Sequence, residues 1–220
     1  MYERQSIPVA LRREPQQVRS ADLMAAILDA AASVLASEGA RRFTTARVAE
    51  RAGVSVGSLY QYFPNKASIL FRLQSDEWRR TTALLSEILE VRGHPPLERL
   101  RGLVHAFLRS ECEEAGLRVA LADAAPLYRH APEAQEAKAA GHRTVHDFLQ
   151  EVMPDTPNAS RELAGDPVTT TMSQVGKSFS ATPRAPGEIE AYADAMADMF
   201  CAYLSSLGLP AQPAAPTPKR

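Results

Sequence analysis

Apolar residues recur every three or four positions along nearly the whole chain, and no alternating run is bounded by hairpin signals. That period predicts an all-α protein of about nine helices. Ser20 is placed to cap a first helix, with Asp22 in its first turn. Leu23, Ile27, Ala31, Val34 and Leu35 then share one face, and Gly39 ends the helix. Thr44 or Thr45 opens a second, short helix with Val48 and Ala52 inward. The turn "AGV" (52–54) leads to Ser55, which caps a third short helix running to about Tyr62. Pro64 stops that helix, and Asn65 caps a long fourth one ending near Glu90.

Beyond "RGHPP" (92–96) the helices become longer and less basic, at about 96–112, 115–125, 132–152, 159–181 and 187–207. They are separated by "EEAG", "APLYRHAPE", "MPDTPNAS" and "ATPRAPG", all punctuated by Pro, Gly and polar residues. Pro167 falls inside the eighth helix, which either kinks there or splits, with Pro opening the second piece. Four regions are expected: a disordered arm over 1–18, a helix-turn-helix domain over 19–66, a larger helical bundle over 67–207, and a disordered Pro-rich tail over 208–220.

One stretch does not suit an ordinary solvated surface: "GVSVGSLYQYFPNK", residues 53–66. In the third helix Val56, Leu59 and Phe63 are spaced to point inward. Gly57, Ser58, Gln61 and Tyr62 then face outward, with Tyr60 at the edge. A solvated face favours Glu, Lys and Ala. Gly inside a helix costs roughly 0.5–1 kcal/mol, but it permits close backbone approach. Tyr brings a flat apolar ring and a hydroxyl donor. These are the needs of a helix laid into a major groove between phosphates. Lys66 stands in the first turn of the fourth helix, where a cation opposes the macrodipole by about 0.3–1 kcal/mol. The placement makes sense opposite a phosphate, where free N–H groups and the ammonium act together. Thr44 and Thr45 offer hydroxyls and N–H groups in the same manner.

Composition adds little to this reading. The chain has 220 residues, 45% of them apolar, enough for one or two compact domains, with a net charge of −1. Residues 1–66 carry nine Lys/Arg against six Asp/Glu, and residues 67–220 carry sixteen against twenty. The positive end therefore coincides with the unusual stretch. No run of about 18 apolar residues predicts a membrane span, and the N-terminus lacks the apolar segment of a signal peptide. Cys112 and Cys201 are far apart and match no metal spacing, which fits a reducing cytosol. His142 and His146, in "HRTVH", stand one turn apart at a spacing that suits a metal. No cysteine or carboxylate cluster accompanies them, so no metal is assigned. With no nucleophile elbow, phosphate loop or zinc-protease motif, neither an enzyme nor a cofactor is expected.

"FTTARVAERAGVSVGSLYQYFPNKASIL" (43–70) resembles the DNA-binding region of the TetR family of bacterial transcriptional regulators. The likeness covers about residues 20–70, where helix lengths, turn, aromatic positions and lysine agree together. It implies that Thr45, Gly57, Ser58, Tyr60, Gln61, Tyr62 and Lys66 lie at DNA-contacting positions. Tyr60 and Lys66 would meet phosphates; Gly57, Ser58, Gln61 and Tyr62 would face bases. Thr44 and Ser55, the caps of the second and third helices, complete the expected set. Ala46 stands where some members carry a basic reading residue, which gives Arg47 more weight. Ser68 stands where an acidic residue is common.

The resemblance also implies a C-terminal half that binds a small-molecule effector and forms a homodimer on a palindromic DNA operator. The protein would then be a cytoplasmic repressor, associated with the nucleoid when bound; an activator, or a DNA-binding protein without an inducer, is the alternative. The expected effector is largely apolar. Its candidate wall is Trp78, Phe107, Leu108, Cys112, Tyr128, His142, His146 and Met172. Apolar stripes in the last two helices supply the candidate dimer interface: Met172, Val175, Phe179, Tyr192, Met196, Met199, Phe200 and Tyr203.

Overall fold

The computed structural model describes residues 8–12 and 17–209, the side chains at 137, 138 and 140–142 excepted. Among the described residues there are nine α-helices, a single 3-10 turn and no strand. In chain order they are α1 (Val18–Arg42), α2 (Thr45–Arg51), α3 (Val56–Tyr60), α4 (Lys66–Leu89), α5 (Pro96–Glu113) and α6 (Ala115–Ala124). The 3-10 turn Ala125–Leu127 follows, then α7 (Pro132–Val152), α8 (Asn158–Phe179) and α9 (Pro186–Ser206). The all-α expectation holds. The tail beyond residue 209 lies outside the described residues.

Two compact units divide the chain, but not at residue 66. The first runs to Arg79 and takes in Gly116–Ala139; the second comprises Arg80–Ala115 and the residues from Ala140 onward. The physical reason lies in the first core. Ile27, Leu35, Phe43, Val48, Leu59 and Phe63 are completely buried there, or nearly so, with Ile69 and Leu70 of α4. Leu121, Ala124, Tyr128 and Ala134 belong to the same cluster. The Tyr128 hydroxyl donates to the Leu121 carbonyl at 3.0 Å and lies 3.2 Å from the Gln74 side-chain oxygen. Arg118 pairs with the buried Glu77 at 2.8 Å.

α1 carries the expected face, with Met24 and Ala30 added and Leu23 at its edge. Its regular turns stop at Gly39, whose φ of 73° is left-handed. Rich in alanine, α1 is by length and composition alone apolar enough to cross a bilayer, with a mean hydropathy of 1.4 over an 18-residue window. Its Met24, Ile27, Ala31, Val34 and Leu35 nevertheless pack into the first core.

In the second unit α5 packs against both α8 and α9. Arg99, 4% exposed, donates to Glu151 of α7 at 2.9 Å and to the carbonyl of Leu89 at the end of α4. Its guanidinium lies 5.1 Å from the centre of the Phe148 ring. A charged ladder joins α5 to α9. Arg101 meets Asp194 and Asp198, His105 stands 2.9 Å from Glu190 and 3.1 Å from Asp194, and Arg109 donates to Glu190 at 2.6 and 2.9 Å.

α8 runs unbroken through Pro167, so the helix is not split there. Pro167 and Leu163, one turn earlier, are both exposed. The carbonyl that loses its partner to proline therefore lies on the solvent side.

The apolar stripes of α8 and α9 correct the expected interface. Met172, Phe179, Met196 and Phe200 are buried in the core of their own unit. Phe179 stacks on Tyr192 with ring centres 4.2 Å apart and has Arg184 over its ring. Val175, Tyr192, Met199 and Tyr203 keep solvent exposure. Gly176 permits close approach to α5 of the same chain, since a Cβ there would lie 2.6 Å from the Phe107 ring.

Gly176→Ala should therefore be destabilising despite the better helix propensity of Ala. Overpacking of about 1–3 kcal/mol exceeds the 0.5–1 kcal/mol that Ala gains in a helix. The urea midpoint is expected to fall; an unchanged or raised midpoint would contradict the close contact. A second prediction concerns pH. The hydrogen bond from Arg109, and then that from His105, hold the Glu190 carboxyl down to about 2 from its usual 4.5. A depressed carboxyl contributes stability above 4.5, and that contribution disappears as pH falls toward about 2. Glu190→Gln should flatten the loss of melting temperature across this window, whereas equal slopes in variant and parent would show the ladder to be inert.

Candidate nucleic-acid interface

α2 and α3 are each too short to be stable alone, and side-chain caps define where they start. Thr44 caps α2 by accepting from the Arg47 amide at 3.3 Å. The tight turn that follows uses Gly53, with φ of 67°, and Val54 donates back to the Ala49 carbonyl at 3.0 Å. Ser55 then caps α3, its hydroxyl accepting from the Ser58 amide at 2.9 Å and lying 2.8 Å from the Ser58 hydroxyl. α4 is capped in turn by Asn65. Its side-chain oxygen accepts from the Ser68 amide at 2.9 Å, while the Ser68 hydroxyl donates to the Asn65 carbonyl at 2.6 Å. Ser68 is fully buried, and its hydroxyl also accepts from the Asn65 amide at 3.4 Å, the bond an acidic residue makes at this position of a capping box.

Leu59 and Phe63 are completely buried and hold α3 to the first core. Outward from it stand Gly57, Tyr60 and Gln61, with Ser58 half-buried. The Tyr60 hydroxyl lies 3.1 Å from that of Thr45, which brings the start of α2 and the end of α3 to one surface. Lys66 is exposed in the first turn of α4, as expected.

Three expectations fail. Tyr62 is only 6% exposed, and Val56, expected inside, is 40% exposed. α3 ends at Tyr60, so a helical period carried on to residue 62 assigns the wrong direction. Arg47 is turned toward α1, where it pairs with Glu38 and the Arg42 carbonyl. The arm is also not disordered throughout. Val9 is 2% exposed within the first core, Asn65 donates to the Pro8 carbonyl at 2.9 Å, and the Arg12 amide donates to the Tyr62 carbonyl at 2.9 Å. The apolar run "IPVAL" (7–11) inside an otherwise charged leader was the available signal. Residues 1–7 and 13–16 lie outside the described set.

The expected effector wall is not assembled within either unit. Trp78 and Tyr128 belong to the first unit; Phe107, Leu108, Cys112, His146 and Met172 belong to the second. Phe107, Leu108, Tyr128 and Met172 are buried core residues. His146 lies 3.1 Å from the Asn158 side-chain oxygen, and the side chain of His142 lies outside the described residues. Between α7 and α8 runs a groove of about 210 Å³ bordered by Arg143, His146, Arg161, Glu162 and Asp166. Val145, Gly165 and Thr169 complete its lining, and of the expected wall it holds His146 alone among the described side chains. Among the described residues no group of three or more metal-ligating side chains gathers.

Residues 27–73 match the family model described as bacterial regulatory proteins, tetR family. Residues 95–207, half of the chain, match that for the tetracyclin repressor-like C-terminal domain. The chain belongs to the TetR family of transcriptional regulators. The repressor KstR of Rhodococcus jostii is 30% identical over 138 residues, covering 63% of each chain. The nucleoid occlusion factor SlmA of Vibrio campbellii is 34% identical over 105 residues, or 47% of this chain and 53% of that protein. The chain thus spans less than two thirds of the length of these curated relatives. The regulator FadR of Bacillus subtilis, solved in complex with stearoyl-CoA, superposes with a TM-score of 0.65 at 17% identity. That match covers 81% of this chain and 98% of the other, and shows the shared TetR fold.

Two substitutions test this surface. Tyr60→Phe removes a hydroxyl worth about 0.5–1.5 kcal/mol, so DNA affinity should fall about 2–10-fold alike on all sequences. Gln61→Ala should instead change which sequences are preferred. If titrations show both variants unaltered in affinity and preference while folded, the surface is misassigned.

Proposed function

We propose that this TetR-family chain is a repressor that binds a palindromic DNA operator as a homodimer and is released by a small, largely apolar ligand. The observation that carries the DNA-binding part is the Thr45–Tyr60 hydroxyl contact, beside a recognition helix that leaves Gly57 and Gln61 open to solvent. A backbone without a Cβ and a side-chain amide suit base edges, and the flanking hydroxyls with Lys66 suit phosphates. Repression is favoured by the likeness to KstR, which bears the name of a transcriptional repressor. An acyl-CoA is the first effector to try, because FadR shares this fold and was solved with stearoyl-CoA, whose long acyl chain would be the apolar part, with a charged coenzyme A head beside it.

Dimerisation is supported by the three faces of α9. One packs inward through Ala193, Met196, Ala197, Phe200 and Leu204. A second carries Glu190, Asp194 and Asp198 toward α5. The third, beyond Glu188 in the first turn, is uncharged and solvent-facing, with Tyr192 at 40% and Met199 at 50% exposure alongside Ala195 and Ala202. Apolar exposure of this kind on a helix is the mark of an interaction surface. A two-fold partner meeting it would give the paired reading heads that a palindrome needs.

A second reading is favoured by the likeness to SlmA: a DNA-binding factor acting at many sites without an inducer. In vitro selection from random duplexes separates the outcomes. An enriched palindrome, with binding relieved by an acyl-CoA, supports the repressor. Enrichment that no effector relieves supports the second reading, and salt-sensitive binding without enrichment sinks both. For the dimer, Met199→Lys should shift the chain to monomer in sedimentation velocity and weaken operator binding while its helical circular dichroism is kept. A dimer that survives the substitution places the interface elsewhere.

A further inference from the structure

We infer that the seated leader is a working part of the reading head, and that Arg12 is an additional contact to the DNA backbone beside Tyr60. The inference rests on the DNA-binding reading above. Three ties fasten residues 8–12 to the first core and to the connection between α3 and α4. Val9 is buried in the first core, Asn65 holds the Pro8 carbonyl, and the Arg12 amide holds the Tyr62 carbonyl. With the backbone fixed in this way, the exposed Arg12 guanidinium lies at the end of the recognition helix, where Nη1 donates to the Tyr60 carbonyl at 3.3 Å.

That bond uses one of five guanidinium donors. Among the described residues no carboxylate pairs with Arg12, whereas Arg42 and Arg47 share Glu38. A cation at a helix C-terminus gains from the dipole, but α3 has five residues and a correspondingly small one. The remaining donors point to a second acceptor. A phosphate lying against the end of α3 would meet these donors, and guanidinium suits it through charge and forked geometry. Because the leader is already seated, little ordering cost falls on binding.

The test uses the full chain and a labelled duplex of about 30 base pairs of mixed sequence, titrated across salt concentrations. Arg12→Gln keeps a donor for the Tyr60 carbonyl but removes the charge. Its melting temperature should match the parent, while affinity falls about 3–10-fold and the slope of log affinity against log salt flattens by about one. Val9→Ala loosens the leader yet retains the charge, and should lose the same slope. Lys177→Gln, at an exposed cation of the second unit, should leave it unchanged. An unaltered slope for Arg12→Gln, or an equal loss for Lys177→Gln, would overturn the assignment. A parent protein with no salt-sensitive binding at all would instead overturn the DNA-binding reading, and this one with it. If Val9→Ala does not fold, the Arg12→Gln slope decides alone.

Discussion

The recognition helix has five residues, fewer than two turns, and that shortness governs the first unit. A segment of this length gains almost nothing from its own hydrogen bonds once nucleation is counted. It is helical because Leu59, and Phe63 just beyond it, are completely buried among Ile27, Leu35, Phe43 and Val48. Its stability is borrowed from α1 and α2, so its outward positions are released from helix propensity. Val56 and Gly57 are poor choices for an isolated helix and cost little in this setting. The surface they form can answer to what lies outside it.

Seating so short a helix also needs directional contacts, because burial alone does not set its rotation. Ser55 fixes the start, and the Thr45–Tyr60 hydroxyl pair fixes the end against α2. Asn65 joins the next element: its oxygen caps α4 while its nitrogen holds the leader. One amide thereby couples two segments that are 57 residues apart in the chain. An aspartate would cap as well, but it has no donor for the Pro8 carbonyl.

Much of this layout was legible from punctuation. Gly39, Gly53, Pro64 and "RGHPP" mark ends that any helical reading must respect, and Gly39 and Gly53 do adopt positive φ. The outward face was legible at Gly57, Tyr60 and Lys66, which are exposed as expected, but not at Val56, which lies within α3 and is exposed where the period places it inward. It also failed at Tyr62, one step past the Gln61 cap, where the chain has left the helix, although Phe63 next to it is buried as expected. The unit boundary failed for another reason. Residues 116–139 join the first core through contacts distant in the chain, and a local composition shift cannot register these.

The last two helices show a subtler limit. Core and interface draw on the same residues, so Met196 and Met199 read alike although one is buried and the other exposed. Charge separates what hydrophobicity does not. Glu190, Asp194 and Asp198 recur every fourth residue on α9, and Arg101, His105 and Arg109 recur at the same interval on α5. Two matched ladders of opposite character identify the helices as neighbours before any apolar contact is considered. With that face assigned to α5 and the Ala193–Phe200 face to the core, Tyr192 and Met199 are what remains of α9. Gly176 does the equivalent for α8, because its missing side chain admits Phe107 and so turns that face of α8 toward α5. α5 therefore sets the rotation of both helices, and with it which residues of α8 and α9 face solvent.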